Sequence, residues 1–413
     1  MTLLYILFAF WALFVMLDFK KAVLCYAPFK MLFYYDVRLT ASLPFDMAIM
    51  LLIAICFYFK RFKYSSIPFP FKKGYIVYGI IYSIGCIIPV FMANKIPATI
   101  ISILLYSYIY YQCLKSMRDV RIAAITYMLF SIFLVANGIY ELMTESCPVA
   151  DWINSMPYID KEHAWDTNFE FLRFGLPRIK SFMPFSISYG VACTIMFAIP
   201  YCLMFSGLKD RPVIRLSIIT MCFLLVGIVT AGSRTPILGL LVLAAYLIWD
   251  KETLRKHKKK IIVSCILIGV FMWPYIYANI LSIIDPKMAE EVSGSSIEMR
   301  NGQYAIAWNY MMQSPIIGLG KNTEITDVEF FGGESVWLPL MINNGIVGIF
   351  GYVYFYCSIV KSTKSPNSKF LHIVTASWLL IRTATSLMGI GDATYLTIYM
   401  LLYRYFYLKN KLC

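Results

Sequence analysis

Apolar stretches long enough to cross a membrane follow one another along almost the whole chain, separated by mostly short polar segments. A membrane-spanning helix needs about 20 predominantly apolar residues, so runs close to this length predict crossings. About twelve such runs are present, over residues 2–17, 41–59, 74–93, 97–114, 122–140, 184–207, 212–230, 235–249, 261–283, 336–360, 370–389 and 393–408. The pattern predicts an all-α polytopic membrane protein in which residues 1–413 form a single integral membrane domain.

One further apolar stretch, AVLCYAPFKMLFYY, lies between the first two runs and is interrupted by Pro28 and Lys30. The interruption favours a segment that lies at the interface or re-enters the membrane over a thirteenth crossing. The run over 2–17 is predicted to be retained, because no cleavage-like site follows it.

The polar interruption over 284–335 is predicted to form a large outer loop that carries an amphipathic helix at about 296–313. Ser295 and Glu298 have the spacing of a capping box, which starts a helix, and Pro315 ends it. Short helices within outer loops are therefore part of the predicted fold.

One face of this predicted helix combines a cation with aromatic rings. Arg300, Tyr304, Trp308 and Met311 recur at helical spacing. Two interpretations are open: an interfacial helix whose aromatics lie among lipid headgroups, and a helix that faces a substrate.

Composition and charge narrow the class. The chain is 60% hydrophobic and only 15% charged, which excludes an ordinary soluble domain. Lysine and arginine are denser in the loops on one side, so both termini are predicted to be cytoplasmic. This topology and anionic lipid account for the net charge of +14, so no nucleic acid is expected as a partner.

The 11 cysteines and 3 histidines do not form a recognisable metal or disulfide pattern. Most cysteines lie in or beside apolar runs, and the histidines are far apart along the chain. The sequence therefore predicts no metal site and no cofactor.

Cationic residues are also clustered at the end of a second predicted outer loop, 142–181, just before the sixth apolar run. Arg173, Arg178 and Lys180 occur within RFGLPRIKSFMPFSISYG. Such residues often act only as interfacial anchors, and this interpretation stays open.

A tight outer turn, TAGSRTPILG, joins the seventh and eighth runs. Pro236 suits the first turn of a helix, so Ser233, Arg234 and Thr235 are expected at a helix N-terminus. Unpaired N–H groups and the positive dipole end make this position suitable for an anion. Together with Arg178 and Arg300, Arg234 indicates a lipid-linked phosphate or diphosphate as the ligand.

Three segments of the chain resemble the bacterial O-antigen polymerase (Wzy-type) and O-antigen ligase superfamily. They are RIKSFMPFSISYG, AGSRTPILGLLVLAAY, and MRNGQYAIAWNYMMQSPIIGLG followed by ESVWLPLMINNGIVGIFGY. Their order, spacing and predicted sidedness are similar to those of the family over most of residues 170–390.

The resemblance implies a metal-independent, GT-C-like glycosyltransferase that uses undecaprenyl diphosphate-linked glycans on the periplasmic face of the bacterial inner membrane. Arg178, Arg234 and Arg300 are the expected diphosphate ligands, because arginine forks match phosphate oxygens. Arg173, Lys180 and Arg382 are further candidates, and Tyr304 and Trp308 are expected to bind glycan. The resemblance also implies a possible chain-length regulator as a partner.

The acceptor hydroxyl needs a base or an orienting acceptor. Ligases of the superfamily resemble one another in a histidine before the span that follows the large loop, whereas this chain has FFGGESVW. Glu334 is the nearest titratable residue. Behind it lie Glu324, Asp327 and Glu329, and a merely solvated carboxylate is an equally open interpretation for each of the four.

Arg382 lies well inside the eleventh apolar run, where an unpaired cation is costly. It is expected either to line the lipid-diphosphate path or to pair with Asp392. Gly318 and Gly320 are predicted to turn the chain after the helix, and Gly345 and Gly348 to permit close helix packing.

The sequence thus predicts a polysaccharide polymerase that moves a growing glycan from its lipid carrier to a new lipid-linked repeat unit. The missing histidine favours this activity over an O-antigen ligase, which transfers finished glycan to lipid A-core. A flippase or transporter is the remaining alternative, but the paired broken helices and charged central path typical of that class are not evident.

Overall fold

The structure, a computed structural model, is almost entirely helical. It describes residues 2–32, 37–64, 67–87, 100–156, 172–173, 176–205, 210–250, 277, 297–320, 325, 335–363, 368–385 and 392–412.

The helices fall into two series along the chain. The first series is α1 Thr2–Leu17, α2 Phe19–Phe29, α3 Phe45–Tyr64, α4 Lys72–Ile87, α5 Tyr106–Cys113, α6 Met117–Thr144 and α7 Pro148–Asn154. The second is α8 Ser186–Met196, α9 Ala198–Phe205, α10 Arg211–Thr230, α11 Arg234–Asp250, α12 Ile297–Gln313, α13 Trp337–Ser362, α14 Ser368–Ala384 and α15 Asp392–Leu412. A π-helical turn, Ile100–Leu105, leads into α5. Two small antiparallel hairpins pair β1 Arg38–Thr40 with β2 Leu43–Pro44, and β3 Leu172–Arg173 with β4 Leu176–Pro177.

Length and apolar composition identify membrane-spanning helices within the described residues. Four meet both criteria: Met117–Thr144, Ser186–Met204, Arg211–Thr230 and Trp337–Ser362. Shorter apolar helices are Thr2–Leu17, Ile100–Cys113 and Arg234–Ala244. These findings agree with an all-α membrane protein. The predicted run over 261–283 lies almost wholly outside the described residues, so the total of twelve crossings stays a prediction.

Burial separates interior helices from lipid-facing ones. In the most apolar window of Ser186–Met204, 89% of the residues are buried, against 33% in Arg211–Thr230. Helix α15 also belongs to the interior, where the Tyr395 ring stacks on Trp378 of α14 with centroids 5.2 Å apart. Helix α10 instead exposes large apolar side chains, as expected of a surface that faces lipid.

Helix α2 is a buried member of the bundle and runs parallel to α6. Lys20 Nζ lies 2.5 Å from Asp119 Oδ1 near the start of both helices. Further along, the Phe29 and Phe130 ring centroids are 5.5 Å apart. The burial of α2 excludes a position at the membrane surface, whereas the prediction of a segment that re-enters the membrane stays a prediction, because 11 residues are too few for a crossing.

The two interruptions that suggested an interfacial position are both accommodated. Pro28 lies in the last turn of α2, where few backbone hydrogen bonds depend on it. Lys30 follows the helix, donates to the Ser102 carbonyl at 2.8 Å and lies 3.6 Å from Asp46 Oδ2. Burying this cation requires such partners, and they come from distant parts of the chain.

Helix α1 runs antiparallel to α2 and parallel to α3. The Tyr5 hydroxyl donates to the Leu39 carbonyl at 3.1 Å, just before α3 begins. At the other end, Lys60 Nζ donates to the Met16 carbonyl at 3.4 Å. The first residues of α1 therefore lie at the end of the bundle where α3 starts.

The last helix ends at the opposite end of the bundle. Arg404 Nε of α15 donates to the Leu114 carbonyl, next to the start of α6, at 2.8 Å. The start of α1 and the end of α15 thus lie at opposite ends of the bundle, and the cytoplasmic position predicted for both termini is not confirmed. Lys20 and Lys60 lie at the end of the bundle where α15 ends.

Candidate functional site

The turn between α10 and α11 is built around a glycine that lets an arginine approach closely. Gly232 has φ +60°, in the left-handed region that favours glycine. A Cβ atom there would lie 3.3 Å from Cγ of Arg178. Ser233 and Thr235 are buried on either side of the first residue of α11, Arg234.

The start of α11 is fixed against the buried helix α8. A Cβ atom at Gly190 would lie only 2.6 Å from Cγ of Pro236, so the two helices touch at this point. The Thr194 hydroxyl donates to the Pro236 carbonyl at 3.0 Å. The first turn of α11, with its unpaired N–H groups, therefore has a defined position.

Arg178 reaches this turn from a different part of the chain. Its Nη2 atom donates to the Ser233 hydroxyl at 3.0 Å. The next residue, Ile179, donates its N–H to the Thr230 carbonyl at 3.2 Å. The structure thus brings Arg178 to the residue that precedes Arg234.

A buried carboxylate holds the segment that carries Arg178. Glu141, near the end of α6, is 1% exposed. Its Oε2 atom accepts the Ser181 N–H at 2.5 Å and its Oε1 atom accepts the Lys180 N–H at 3.4 Å. Hydrogen bonds from backbone N–H groups to a carboxylate are among the stronger ones, so Glu141 fixes the path of residues 180–181.

Ser181 itself has φ +55°, an unusual value for a residue other than glycine. Its hydroxyl donates to the Leu134 carbonyl at 2.9 Å and accepts from Asn137 Nδ2 at 3.0 Å. The Cys147 thiol donates to the Ser181 carbonyl at 3.1 Å, and burial raises the pKa of this thiol. These bonds offset the backbone strain and make the segment rigid.

The amphipathic helix predicted over about 296–313 is α12, Ile297–Gln313. Its buried side is formed by Gln303, Ala307 and Met311, of which the last two pack with Leu338 and Ile342 of α13.

The aromatic residues of α12 lie on another side. Tyr304 is 37% exposed and Trp308 is 53% exposed, whereas Met311 is buried. The prediction of one shared face is wrong for Met311. This residue lies on the side of α12 that packs on α13, next to the side that carries the exposed aromatic rings. Arg300 is half-buried, between these two sides.

Tyr304 is joined to the start of α13. Its hydroxyl donates to the Ser335 hydroxyl at 3.1 Å, and the Val336 N–H donates to the Arg382 carbonyl at 2.9 Å. Trp337 Nε1 donates to the Thr383 hydroxyl at 3.0 Å. Residues 335–337 therefore connect the exposed aromatic side of α12 with the end of α14.

Helix α13 is interrupted at Gly345, which has φ +58° and ψ −154°. At such a break the N–H groups of Ile346 and Val347 cannot reach the carbonyls of Ile342 and Asn343 one turn earlier. The structure shows a replacement for all four groups.

The loop over residues 315–320, after α12, supplies these partners. Ile346 and Val347 donate to the carbonyls of Pro315 and Ile316 at 2.9 and 3.1 Å. The carbonyls of Ile342 and Asn343 accept from the N–H groups of Leu319 and Gly320 at 2.7 and 3.1 Å. Gly345 was predicted to permit close helix packing, and its role is instead to admit this loop into a helix long enough to span the membrane.

Comparison with known families identifies the segment that contains these elements. Residues 216–353, about a third of the chain, match the family model described as O-antigen ligase. This segment of the chain is therefore similar to the O-antigen ligase and polymerase superfamily. The superfamily segment, residues 216–353, includes Arg234, Arg300 and the interruption of α13 at Gly345, and Arg178 and Arg382 lie outside it. No curated protein gives a significant match to the chain.

Beyond the superfamily segment, Arg382 lies beside Asp392. Arg382 Nε is 4.0 Å from Asp392 Oδ1, and both side chains are largely buried. The same carboxylate oxygen accepts from the Tyr356 hydroxyl at 2.5 Å, the Trp378 indole at 3.2 Å and the Tyr352 hydroxyl at 3.3 Å. Of the two roles expected for Arg382, the structure favours pairing with Asp392.

Packing of α11 on α14 brings the two groups of candidate site residues to one end of the bundle. The Ser377 hydroxyl donates to the Gly239 carbonyl at 2.9 Å, and a Cβ atom at Gly239 would lie 2.6 Å from Ile381 Cδ1. These contacts place the start of α11, with Arg234, at the same end as Arg382. The superfamily segment and its neighbours thus concentrate cations and exposed aromatics there.

Several predicted residues are not positioned by this structure. Glu334, Glu324, Asp327 and Glu329 lie outside the described residues, and of Arg173 only the backbone, in β3, is described. No cluster of three or more metal-ligating side chains occurs among the residues that are described.

The sequence analysis did not predict Glu141, Asn137 or Ser181. One signal was available: Glu141 is a carboxylate directly after the apolar run over 122–140. An acidic residue at that depth needs partners, and here they are backbone N–H groups.

Proposed function

We propose that the protein is a metal-independent polysaccharide polymerase of the bacterial inner membrane, with a GT-C-like architecture and a periplasmic active site. It transfers a growing glycan from undecaprenyl diphosphate to the terminal sugar hydroxyl of a new lipid-linked repeat unit. The acceptor oxygen forms a bond to the anomeric carbon, the bond to the diphosphate oxygen breaks, and the hydroxyl proton passes to a base. The similarity of residues 216–353 to the O-antigen ligase family supports this proposal.

The observation that carries the proposal is the contact between Arg178 and the turn that opens α11. Departure of the diphosphate develops negative charge on its oxygens, and fixed cations stabilise that charge. Arg178 is fixed through Ser233, and Arg234 begins a helix whose first N–H groups also attract anions. Arg178 therefore has to reorganise little when the leaving group forms.

Other residues extend this site in the proposal. Arg300 contributes a third cation, Lys180 and Arg173 attract the diphosphate to the site, and Arg382 acts from beside Asp392. The exposed rings of Tyr304 and Trp308 stack against sugar faces, a common mode of glycan binding for aromatic side chains.

We assign the acceptor base to Glu334. It is the titratable residue nearest to Trp337 in FFGGESVW, and Trp337 is joined to the end of α14. The absence of histidine from this stretch favours a polymerase, whereas the description of the matching family favours a second candidate, an O-antigen ligase that uses lipid A-core as acceptor.

The test is synthesis by the purified protein from a synthetic lipid diphosphate-linked repeat unit, in detergent with chelator. A ladder of products is expected. Arg178→Gln and Arg234→Gln should each lower the rate about a hundredfold or more, the usual cost of removing one charge-stabilising donor. The matched control is Arg38→Gln, in the β1–β2 hairpin, which should leave the rate unchanged.

Three outcomes decide the assignment. Transfer only when lipid A-core is added would replace the polymerase by a ligase. A ladder that requires added metal would contradict metal independence. Equal rates for wild type, Arg178→Gln and Arg234→Gln would remove the arginine turn from the mechanism.

The periplasmic position of the site has its own test. Epitope tags are placed before Thr2 and after Lys411, and antibody access is measured in intact spheroplasts. The tag before Thr2 should be accessible and the tag after Lys411 protected, because the two positions lie at opposite ends of the bundle. The reverse result would place the site in the cytoplasm.

A further inference from the structure

A cavity lies at the end of the bundle opposite the arginine turn. Its volume is about 320 Å³ and its walls are almost wholly apolar. It is lined by Met117, Arg118, Val120, Arg121, Leu203, Val213 and Tyr405. The cavity thus lies between the first turns of α6 and α10, the end of α9 and the second half of α15.

Two arginines of the first turns of α6 border this apolar space. Arg118 is exposed and, within the described part of the chain, has no ion-pair partner. Arg121 Nη2 lies 2.5 Å from Asp210 Oδ2, but the Arg121 side chain is 52% exposed and so retains donors that face solvent. Arg211 and Arg215 on α10 add further exposed positive charge to the same surface.

This combination identifies the class of ligand. An apolar cavity between helices suits an acyl chain, and arginine forks beside its opening suit a phosphate. Basic pockets between membrane helices on the cytoplasmic side bind anionic lipid headgroups. The cavity also lies at the end where Lys20 and Lys60 are found, which is the predicted cytoplasmic side.

We infer that the cavity is a binding site for an anionic phospholipid of the inner leaflet, with an acyl chain between α6, α9, α10 and α15 and the phosphate at Arg118 and Arg121. The site is separate from the arginine turn, so it stands or falls independently of the transferase reaction.

The experiment measures binding of phosphatidylglycerol and of phosphatidylcholine to the purified full-length protein by native mass spectrometry. Wild type should retain phosphatidylglycerol at least fivefold more than phosphatidylcholine. Each of Arg118→Gln and Arg121→Gln should lower phosphatidylglycerol affinity about fivefold, the effect of one arginine near an anionic headgroup. Both residues are exposed, with 52% of the Arg121 side chain accessible, so neither change should prevent folding.

Two further variants separate the cavity from general attraction to a basic surface. Arg211→Gln/Arg215→Gln removes two charges from the same surface and should change affinity less than twofold, because neither residue lines the cavity. Met117→Trp fills the cavity without removing charge and should lower affinity for both lipids.

Any of three results would overturn the proposal. They are equal retention of the two lipids by wild type, equal losses from the two arginine pairs, and unchanged binding by Met117→Trp. Retention of undecaprenyl phosphate in place of phosphatidylglycerol would also overturn it.

Discussion

The arginines at the two ends of the bundle are held in opposite ways. At the candidate active site, Arg178 donates to a buried serine and its segment is fixed by the buried Glu141. At the other end, Arg118 is exposed, and Arg121, which pairs with Asp210, has a side chain that is 52% exposed. A cation that stabilises a transition state needs a fixed position, whereas a cation that meets a mobile lipid headgroup does not. The surroundings of an arginine, more than its presence, therefore indicate its task.

The largest loss of order at the site end is expected from Gly345→Ala. The new Cβ atom would lie 2.6 Å from the Pro315 carbonyl oxygen, in a backbone conformation that alanine rarely adopts. Backbone strain and overpacking together should lower the free energy of unfolding by about 3 kcal/mol or more. Graded denaturation in mixed micelles, followed by tryptophan fluorescence, measures the loss.

Gly302→Ala is the matched control, on the adjacent helix α12. A Cβ atom there meets nothing within 4 Å, so the change should be neutral or stabilise by up to about 1 kcal/mol. A Gly345→Ala variant as stable as this control would show that the interruption of α13 is not required.

Glu141→Gln is expected to have the second largest effect. Loss of the carboxylate weakens two hydrogen bonds from backbone N–H groups, one of them to strained Ser181, and should cost about 1–3 kcal/mol. The same change should lower transferase kcat, because Arg178 is no longer held. Glu145→Gln, one turn further and exposed, should alter neither quantity. Loss of stability with full kcat would limit Glu141 to a structural role.

Tyr304→Phe removes a single hydrogen bond, to Ser335, and a smaller loss of about 0.5–1.5 kcal/mol is expected. The same micelle denaturation compares it with Tyr310→Phe on the same helix. If both variants are equally stable, the link between α12 and α13 through Ser335 contributes nothing.

The smallest effect is expected at the opposite end, from Arg121→Gln. The Arg121 side chain of the pair with Asp210 is 52% exposed, so solvent screens the interaction, and the loss should stay below about 1 kcal/mol and shrink further in high salt. A loss as large as that of Glu141→Gln would abolish the contrast between the two ends.

Local patterns predicted part of this structure well. The helix predicted over about 296–313 corresponds to α12, Ile297–Gln313, although its predicted cap Ser295 lies outside the described residues, and the glycine and proline of TAGSRTPILG correspond to the turn before α11. In each case the residues that shape the element lie within it.

Predictions failed where the partner is distant in sequence. Helix α2 has only 11 residues and is followed by Lys30, and its buried position depends on Asp46 and Ser102. The role of Glu141 likewise depends on residues 40 positions away. Hydropathy along the chain reflects the free-energy cost of burying such charges. It does not show the contacts with distant residues that offset this cost.

The interruption of α13 has a consequence for how the protein is made. Residues 315–320 leave the ribosome before α13 does, so the partners of the interrupted helix already exist when that helix enters the membrane. A helix with four unpaired backbone groups would otherwise meet lipid with a penalty of several kcal/mol for each group. Because the loop is synthesised first, it can pair with the backbone groups of α13 as that helix enters the membrane. If the gene encoded the helix before the loop, these groups would enter lipid unpaired, even if every contact of the final structure were preserved.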